Sequence, residues 1–131
     1  MPATHEIDSA NRLIITTWSG KATESEFIDT LISYQLKVKG NREYQTYNEL
    51  LDFSQIDNIN LSKKSMTTLS KIAQQTDRQD VQTRLAIIVS SPLAFGLARM
   101  YVAYRNLLQY TNKELKVFKN RSDAFAWVIN Q

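Results

Sequence analysis

Residues 85–100 read LAIIVSSPLAFGLARM and contain the two elements that decide the fold class. The first five letters form an uninterrupted apolar run, which is typical of a central strand covered on both faces. Ser91 and Pro92 follow in the order expected of a helix N-cap and a first helical residue, so we predict a helix from there to about Tyr110. A buried strand that leads directly into a long helix indicates an α/β protein.

The same alternation of strand and helix continues on both sides of this stretch. Gly20 is expected to end an opening hairpin, and Gly40 to end the first helix. Working outward, we predict strands at 4–8, 12–18, 49–53 and 114–119, a loop at 54–60, and helices at 23–40, 62–75 and 122–129. The resulting order, β-β-α-β-α-β-α-β-α, predicts a mixed, mostly parallel sheet with an N-terminal hairpin and four helices, in a single domain over residues 1–131.

The composition excludes several classes of chemistry. The 131 residues include no cysteine and one histidine, His5, so we expect neither a thiolate site nor a histidine-based metal centre, and no cofactor. Sixteen Lys and Arg stand against thirteen Asp and Glu, with the two signs interspersed, and the formal charge is +3. That charge is too small to indicate nucleic-acid binding.

Targeting signals are not evident in the sequence. The opening residues lack the basic and apolar stretches of a secretion signal, and no window reaches the roughly 18 apolar residues that span a membrane. We therefore expect a cytoplasmic protein without a transmembrane segment.

Parallel sheets bind ligands at the carboxyl ends of their strands, which directs attention to residues 52–54, 90–92 and 119–120. Asp52 and Asp57 fall in or near the first of these, but aspartates at strand ends commonly close turns through hydrogen bonds to the backbone. Neither a phosphate-binding glycine loop nor a nucleophile elbow is present. We predict no catalytic residue and expect that the protein is not an enzyme.

Three local motifs, in this order of elements, resemble those of the SpoIIAA-like family, which has the STAS fold of anti-sigma-factor antagonists. The motifs are ELLDFS at 49–54, AIIV at 86–89 followed by FGLARM at 95–100, and VF at 117–118 followed by DAFAW at 123–127. The likeness covers most of the chain. It implies a small, non-enzymatic cytoplasmic module that acts by interaction or regulation.

The sequence departs from the regulatory members of that family at one motif. Those members carry a phosphorylated serine in an Asp-Ser-Ser/Thr-Gly motif at the start of the second helix. The aligned stretch here reads Asn60-Leu61-Ser62-Lys63, so the resemblance does not carry over a phosphorylation switch. Ser62 lies one place from the expected acceptor and has a sufficient role as N-cap.

The start of the second helix carries an unusual charge pattern. Lys63 and Lys64 fall in the first turn, where the helix dipole opposes positive side chains. A bound anion would offset this cost, with the backbone N–H groups and the hydroxyls of Ser62 and Ser65 as donors. Ser62, Lys63, Lys64 and Ser65 therefore form a candidate anion site. The alternative is that both lysines extend into water at little cost.

The third helix is apolar around more of its circumference than contact with one sheet requires. One set of residues is expected to face the sheet: Ala94, Leu97, Ala98, Tyr101 and Leu108. A second set remains for a neighbouring helix, a partner subunit or a ligand: Phe95, Met100, Tyr104 and Leu107. Arg99 and Arg105 bracket that second set, and they either pair with an acidic partner or form its solvated rim.

These observations favour a binding module that associates with a protein partner, most simply a second copy of itself through the third helix. Tyr and Met are enriched in interface cores, which supports that interpretation. The alternative is a carrier or sensor of a small apolar or amphipathic ligand between the third helix and the sheet, with its anionic head near Lys63 and Lys64.

Overall fold

The computed structural model describes residues 3–59, 61–75, 81–107 and 113–129, and there it confirms the predicted order of strands and helices. A single 3₁₀ turn at Tyr44–Thr46 adds to it. The strands are β1 (Ala3–Asp8), β2 (Leu13–Ala22), β3 (Asn48–Ile59), β4 (Thr83–Ile88) and β5 (Lys113–Phe118). The helices are α1 (Glu24–Lys39), α2 (Lys63–Gln74), α3 (Pro92–Leu107) and α4 (Arg121–Ile129).

The five strands form one sheet in the order β1-β2-β3-β4-β5. β1 runs antiparallel to β2, and every other neighbouring pair is parallel, which confirms the predicted mixed sheet. The register places Leu51 beside Thr16 on one side and beside Ile87 on the other. Parallel neighbours require a helix between successive strands, so the helices must cover the faces of this sheet.

The helices divide unequally between the two faces. Ala124 and Val128 of α4 pack in one buried cluster with alternate strand residues such as Leu50, and we call this side the α4 face. α1, α2 and α3 lie side by side on the opposite side, which we call the three-helix face. Because successive residues of a strand point to opposite faces, each strand supplies side chains to both layers.

β2 and β3 extend further than predicted. Gly20, expected to end the hairpin, lies inside β2 with a φ of 71°, and residues 54–59, predicted as a loop, belong to β3. The register shifts between Thr17 and Ser19 and again between Gly20 and Lys21, so that β3 uses more residues than β2 over this stretch. Such bulges break the two-residue alternation by which a strand is recognised in a sequence, which is why the prediction was wrong here.

The helix starts are mostly as predicted. Thr23 and Glu26 form the reciprocal capping box of α1, Ser62 caps α2, and Ser91 accepts a hydrogen bond from the backbone of α3. α4 is an exception, because Asn120 rather than Ser122 accepts from the backbone N–H of Asp123, at 2.9 Å. The predicted continuation of α3 to Tyr110 lies outside the described residues.

Candidate functional site

A cavity of about 150 Å³ lies between the sheet and the helices of the three-helix face. Its walls are mostly aliphatic and aromatic. Leu85 and Ile87 of β4, and Val89 directly after it, point into the cavity, while Ala86 and Ile88 between them point to the α4 face. From α3, Ala94 and Ala98 line the opposite wall, and their short side chains leave the space that longer ones would fill.

Aromatic side chains line the cavity near the middle of β2 and β3. Trp18 of β2 stacks on Phe27 of α1 at 4.4 Å between ring centroids and on Phe53 of β3 at 5.7 Å. Met66 and Leu69 of α2 line the same cavity. This part of the lining offers broad ring faces and a flexible thioether, surfaces that suit an apolar molecule.

The opposite end of the cavity carries charged side chains. Glu49 lies near the start of β3, where one carboxylate oxygen accepts a hydrogen bond from the hydroxyl of Tyr34. The other oxygen lies 3.5 Å from Nζ of Lys113, at the start of β5, and the side chains of this ion pair are only 16% and 13% exposed. The pair is therefore largely removed from water and is weakly screened by salt.

His5 of β1 joins this charged end. Its Nδ1 lies 2.9 Å from the hydroxyl of Thr16, and its ring centroid lies 5.7 Å from that of Tyr34. Burial lowers the pKa of His5 below its usual value, and the positive charge of Lys37 lowers it further. Both effects favour the neutral form of the imidazole.

Arg105 is the most deeply buried charged side chain in the described part of the molecule, with 1% exposure, and it lines the cavity. The predicted position in a solvated rim is wrong for Arg105, because its side chain is buried. Its spacing was the available signal, because it follows Ala94, Ala98 and Tyr101 on the sheet-facing stripe of α3. The charge of the side chain, however, favoured an exposed position over a sheet-facing one.

These positions reverse the expected location of a site. Glu49 and Lys113 lie at the amino ends of their strands, and Arg105 lies near the end of α3, which returns to the same edge of the sheet. The carboxyl edge has a smaller depression of about 70 Å³, lined in part by Asp57, Ser90 and Ser91. The polar groups that converge on the large cavity are therefore not those predicted from strand topology.

Asp52 has a structural environment. Its carboxylate lies 2.9 Å from a guanidinium nitrogen of Arg121 and accepts a hydrogen bond from the backbone N–H of Ser54. It is buried towards α4, whereas Asp57 is exposed and lines the small depression beside α3. The two carboxylates thus face different surroundings.

The predicted anion site at the start of α2 contains a carboxylate of the chain itself. Glu24 accepts a hydrogen bond from the backbone N–H of Ser62 at 3.1 Å. The hydroxyl of Ser65 and that backbone group lower the pKa of Glu24 below its usual value. Lys63 and Lys64 are exposed and do not line the cavity.

The remaining candidates on α3 lie outside the cavity lining. Phe95 is half-buried, with the guanidinium carbon of Arg99 5.9 Å and Nζ of Lys119 5.3 Å from its ring centroid. Met100 and Tyr104 are half-buried and Leu107 is 72% exposed. Phe95 packs against the buried cluster that α3 forms with β4. Arg105 lines the cavity, whereas Arg99 and the other four candidates do not.

No group of three or more His, Asp or Glu side chains within the described ranges is placed to hold a metal ion. None of the helices in the described part of the chain combines the length and apolar character needed to cross a bilayer.

The chain is similar in structure to a protein from Shewanella loihica PV-4, described as an uncharacterized member of the DUF3478 family with a SpoIIAA-like fold. The match covers 96% of this chain and 91% of that one, with a TM-score of 0.57 and 18% sequence identity. No protein-family model and no curated protein matches the sequence. At that identity the likeness concerns the fold alone, and it agrees with the motifs at 49–54, 86–100 and 117–127. The chain therefore has a SpoIIAA-like fold.

Proposed function

We propose that the protein is a binding module that takes up a small apolar or amphipathic molecule in the cavity of the three-helix face. The observation that carries this proposal is the apolar cavity of about 150 Å³ between α3 and the sheet. The aliphatic and aromatic part of its lining offers an apolar molecule about the size of benzene a favourable surface. The interaction or regulatory role implied by the fold then depends on whether the cavity is filled.

Binding suits the polar end of the cavity better than catalysis does. Glu49 already accepts a hydrogen bond from the hydroxyl of Tyr34 and faces Lys113, so both of its carboxylate oxygens are engaged. Nδ1 of His5 is engaged with Thr16. A general acid or base needs a group poised to exchange a proton with a substrate, and these two groups are instead held by neighbours.

The direct test uses benzene and toluene as neutral probes. We expect saturable shifts in the amide resonances of residues that line the cavity, together with a raised melting temperature, because a ligand that binds only the folded state stabilises it. The variant Ala98→Phe should fill the cavity and abolish both effects. Ala103→Phe, at an exposed position of the same helix, is the matched control and should preserve them. Absence of binding to the wild-type protein would refute the proposal.

Self-association through α3 is a second candidate function. Leu93 and Leu107 are 67% and 72% exposed, and Met100 lies seven residues from each of them. Residues spaced by seven lie along one side of a helix, and Tyr104 adjoins that stripe. Two copies of such a stripe would bury it, with Arg99 as the orienting charge now that Arg105 is assigned to the interior.

The mass of the protein in solution, measured over a wide range of concentration, tests this second candidate. We expect a concentration-dependent dimer that the double change Met100→Lys and Tyr104→Glu abolishes without loss of the fold. A monomer at every concentration would exclude self-association and leave the ligand-binding proposal intact.

A further inference from the structure

β5 forms one end of the sheet, and no strand of the described residues pairs with its outer side. The carbonyl of Phe118 accepts from the backbone N–H of Val89 at 3.0 Å, so the polar backbone groups of Phe118 point towards the rest of the sheet. Successive residues of a strand direct these groups to opposite sides, so those of Leu115 and Val117 point outwards. We call this outward side of residues 115–117 the β5 edge. Such a row of backbone groups is a template for a further strand.

The excess positive charge of the protein belongs to the segment that builds this end of the sheet. Residues 92–131 contain six Lys or Arg and two Asp or Glu, whereas residues 1–91 contain ten and eleven. The formal charges of these two segments are therefore +4 and −1. In the described part of the chain, residues 92–131 form α3, β5 and α4, and both helices contact β5. The β5 edge thus lies in the most positive part of the chain.

Three exposed cations flank β5, one on the α4 face and two beside α3. On the α4 face, Nζ of Lys116 lies 5.4 Å from the ring centroid of Phe118. Beside α3, the ring of Phe95 carries both Arg99 and Lys119. None of these three cations forms an ion pair with a carboxylate of the described residues. The rings hold the long side chains beside the strand while the charged ends remain in contact with water.

The charges at the β5 edge select among the partners that an open strand can take. A second copy of β5 would place lysines opposite lysines, and like charges across a strand pair are destabilising. A strand with acidic side chains meets opposite charges instead. Nucleic acid would need free ring faces for base stacking, whereas here cations of the chain itself lie over the rings.

We propose that the β5 edge binds an extended acidic peptide of a partner protein, which adds to the sheet as a further strand. The backbone groups of Leu115 and Val117 supply the hydrogen bonds, and the three cations supply the preference for acidic side chains. Since the side chains of a strand alternate between the two faces, acidic residues on either face of the peptide lie near a cation. Neither these two residues nor the three cations line the cavity, so this proposal is independent of ligand binding there.

A peptide of six residues, the length of β5, with alternating glutamate and valine and blocked ends, tests the proposal by amide hydrogen exchange of the wild-type protein. At saturating peptide we expect exchange of the N–H groups of Leu115 and Val117 to slow about tenfold or more. Exchange at Lys116, whose N–H points to β4, should change little. Absence of binding, or binding that leaves the first two amides unprotected, would overturn the proposal.

Two comparison probes test the chemistry of the partner. The same peptide with lysine in place of glutamate should not bind, and neither should an oligothymidylate of ten nucleotides. Equal binding of the basic peptide would show that the cations do not select the partner, and tighter binding of the oligonucleotide than of the acidic peptide would assign the surface to nucleic acid. Either result would overturn the proposal.

Methylation of the nitrogens of the acidic peptide tests the backbone contacts. An added strand directs every second N–H group to β5, so methylation of one alternate set of nitrogens should abolish binding and methylation of the other set should be tolerated. Tolerance of both sets would contradict the addition of a strand.

A charge variant assigns the selectivity to a named side chain. Lys116→Glu should weaken binding of the acidic peptide by about tenfold, because it places a carboxylate beside the bound strand. Lys71→Glu makes the same change in net charge at an exposed position of α2 and is the matched control, so we expect its affinity to stay close to that of the wild-type protein. Equal weakening in the two variants would show that only the net charge matters and would contradict the proposed surface.

Discussion

The two faces of the sheet are built from alternate residues of the same strands, yet they are filled in different ways. On the α4 face, Leu13, Leu50 and Ala86 have no exposed surface, and Asn48 links β3 to the backbone of α4 and β4. On the three-helix face the same strands border a cavity with charged side chains at one end. One helix of nine residues closes the first face more completely than three helices close the second.

The difference shows where this fold keeps room for a ligand. Ala86 and Ala124 let α4 approach the sheet closely, so that large aliphatic neighbours fill the space between them. Ala94 and Ala98 of α3 are also small, but the residues across from them do not fill the gap. Small side chains therefore produce tight packing on one face and a cavity on the other, depending on the distance between helix and sheet.

The largest contrast is expected from truncating two consecutive residues of β3. Leu50→Ala, on the α4 face, should cost about 4 kcal/mol of unfolding free energy, and Leu51→Ala, which enlarges an existing cavity, about 2 kcal/mol. Denaturant unfolding of both variants measures the two losses. Equal losses would show that the two faces are packed to the same density.

Enlarging an alanine on each helix should give the next largest effect. Ala124→Leu has no room on the α4 face and should destabilise the protein by about 2 kcal/mol, whereas Ala98→Leu enters the cavity and should change stability by less than about 1 kcal/mol. Thermal unfolding checks this pair. A greater loss for Ala98→Leu than for Ala124→Leu would mean that the cavity does not exist in solution.

Removal of Arg121 tests the polar contact that closes the α4 face. Arg121→Met leaves the buried carboxylate of Asp52 with the backbone N–H of Ser54 as its remaining contact among those described, and we expect a loss of about 1 kcal/mol. The half-exposed guanidinium limits the effect, because solvent screens the pair. Arg99→Met, at an exposed position, is the control for denaturant unfolding, and equal losses in both variants would show that the contact contributes nothing.

The smallest effect should be the pH dependence of stability that His5 contributes on the three-helix face. The pKa of His5 is lower in the folded state than its ordinary value of 6.5, so the unfolded chain binds more protons between those two values. Stability should therefore fall as the pH is lowered through about 6.5 and rise again with pH, and His5→Gln should flatten that slope. Thermal unfolding at several pH values from about 5.5 to 7.5 avoids titration of the carboxylates. A slope that persists in His5→Gln would assign it to another group.

The sequence predicts the order of strands and helices because the signals for these elements are local. Residues 85–100 fix a strand and a helix by composition and by Ser91 and Pro92, and the capping box at Thr23 fixes another helix start. The end of β3 was missed because its pairing with β2 passes through bulges that no local pattern shows. The contact between Glu24 and Ser62 was also missed, because it joins residues that are 38 positions apart in the sequence.

The residues that line the cavity were harder to predict than the order of strands and helices. In the run of residues 85–89 all five side chains are apolar, so nothing in the sequence distinguishes those that pack against α4 from those that border the cavity. Arg105 occupies a core position in the spacing of α3, but its charge favours an exposed position in any analysis of a single sequence. The charges that meet there come from β3, β5 and α3, and only the folded chain brings them together.

The most direct test of ligand binding on the three-helix face uses the two tryptophans, one on each side of the sheet. Trp18 lines the cavity and Trp127 packs beside Phe118 on the α4 face. In the Trp127→Phe variant we expect toluene to change the emission of Trp18 saturably, while in Trp18→Phe the emission of Trp127 should stay constant. An unchanged Trp18 emission up to the solubility limit of toluene, or a response from Trp127 alone, would contradict binding in the cavity.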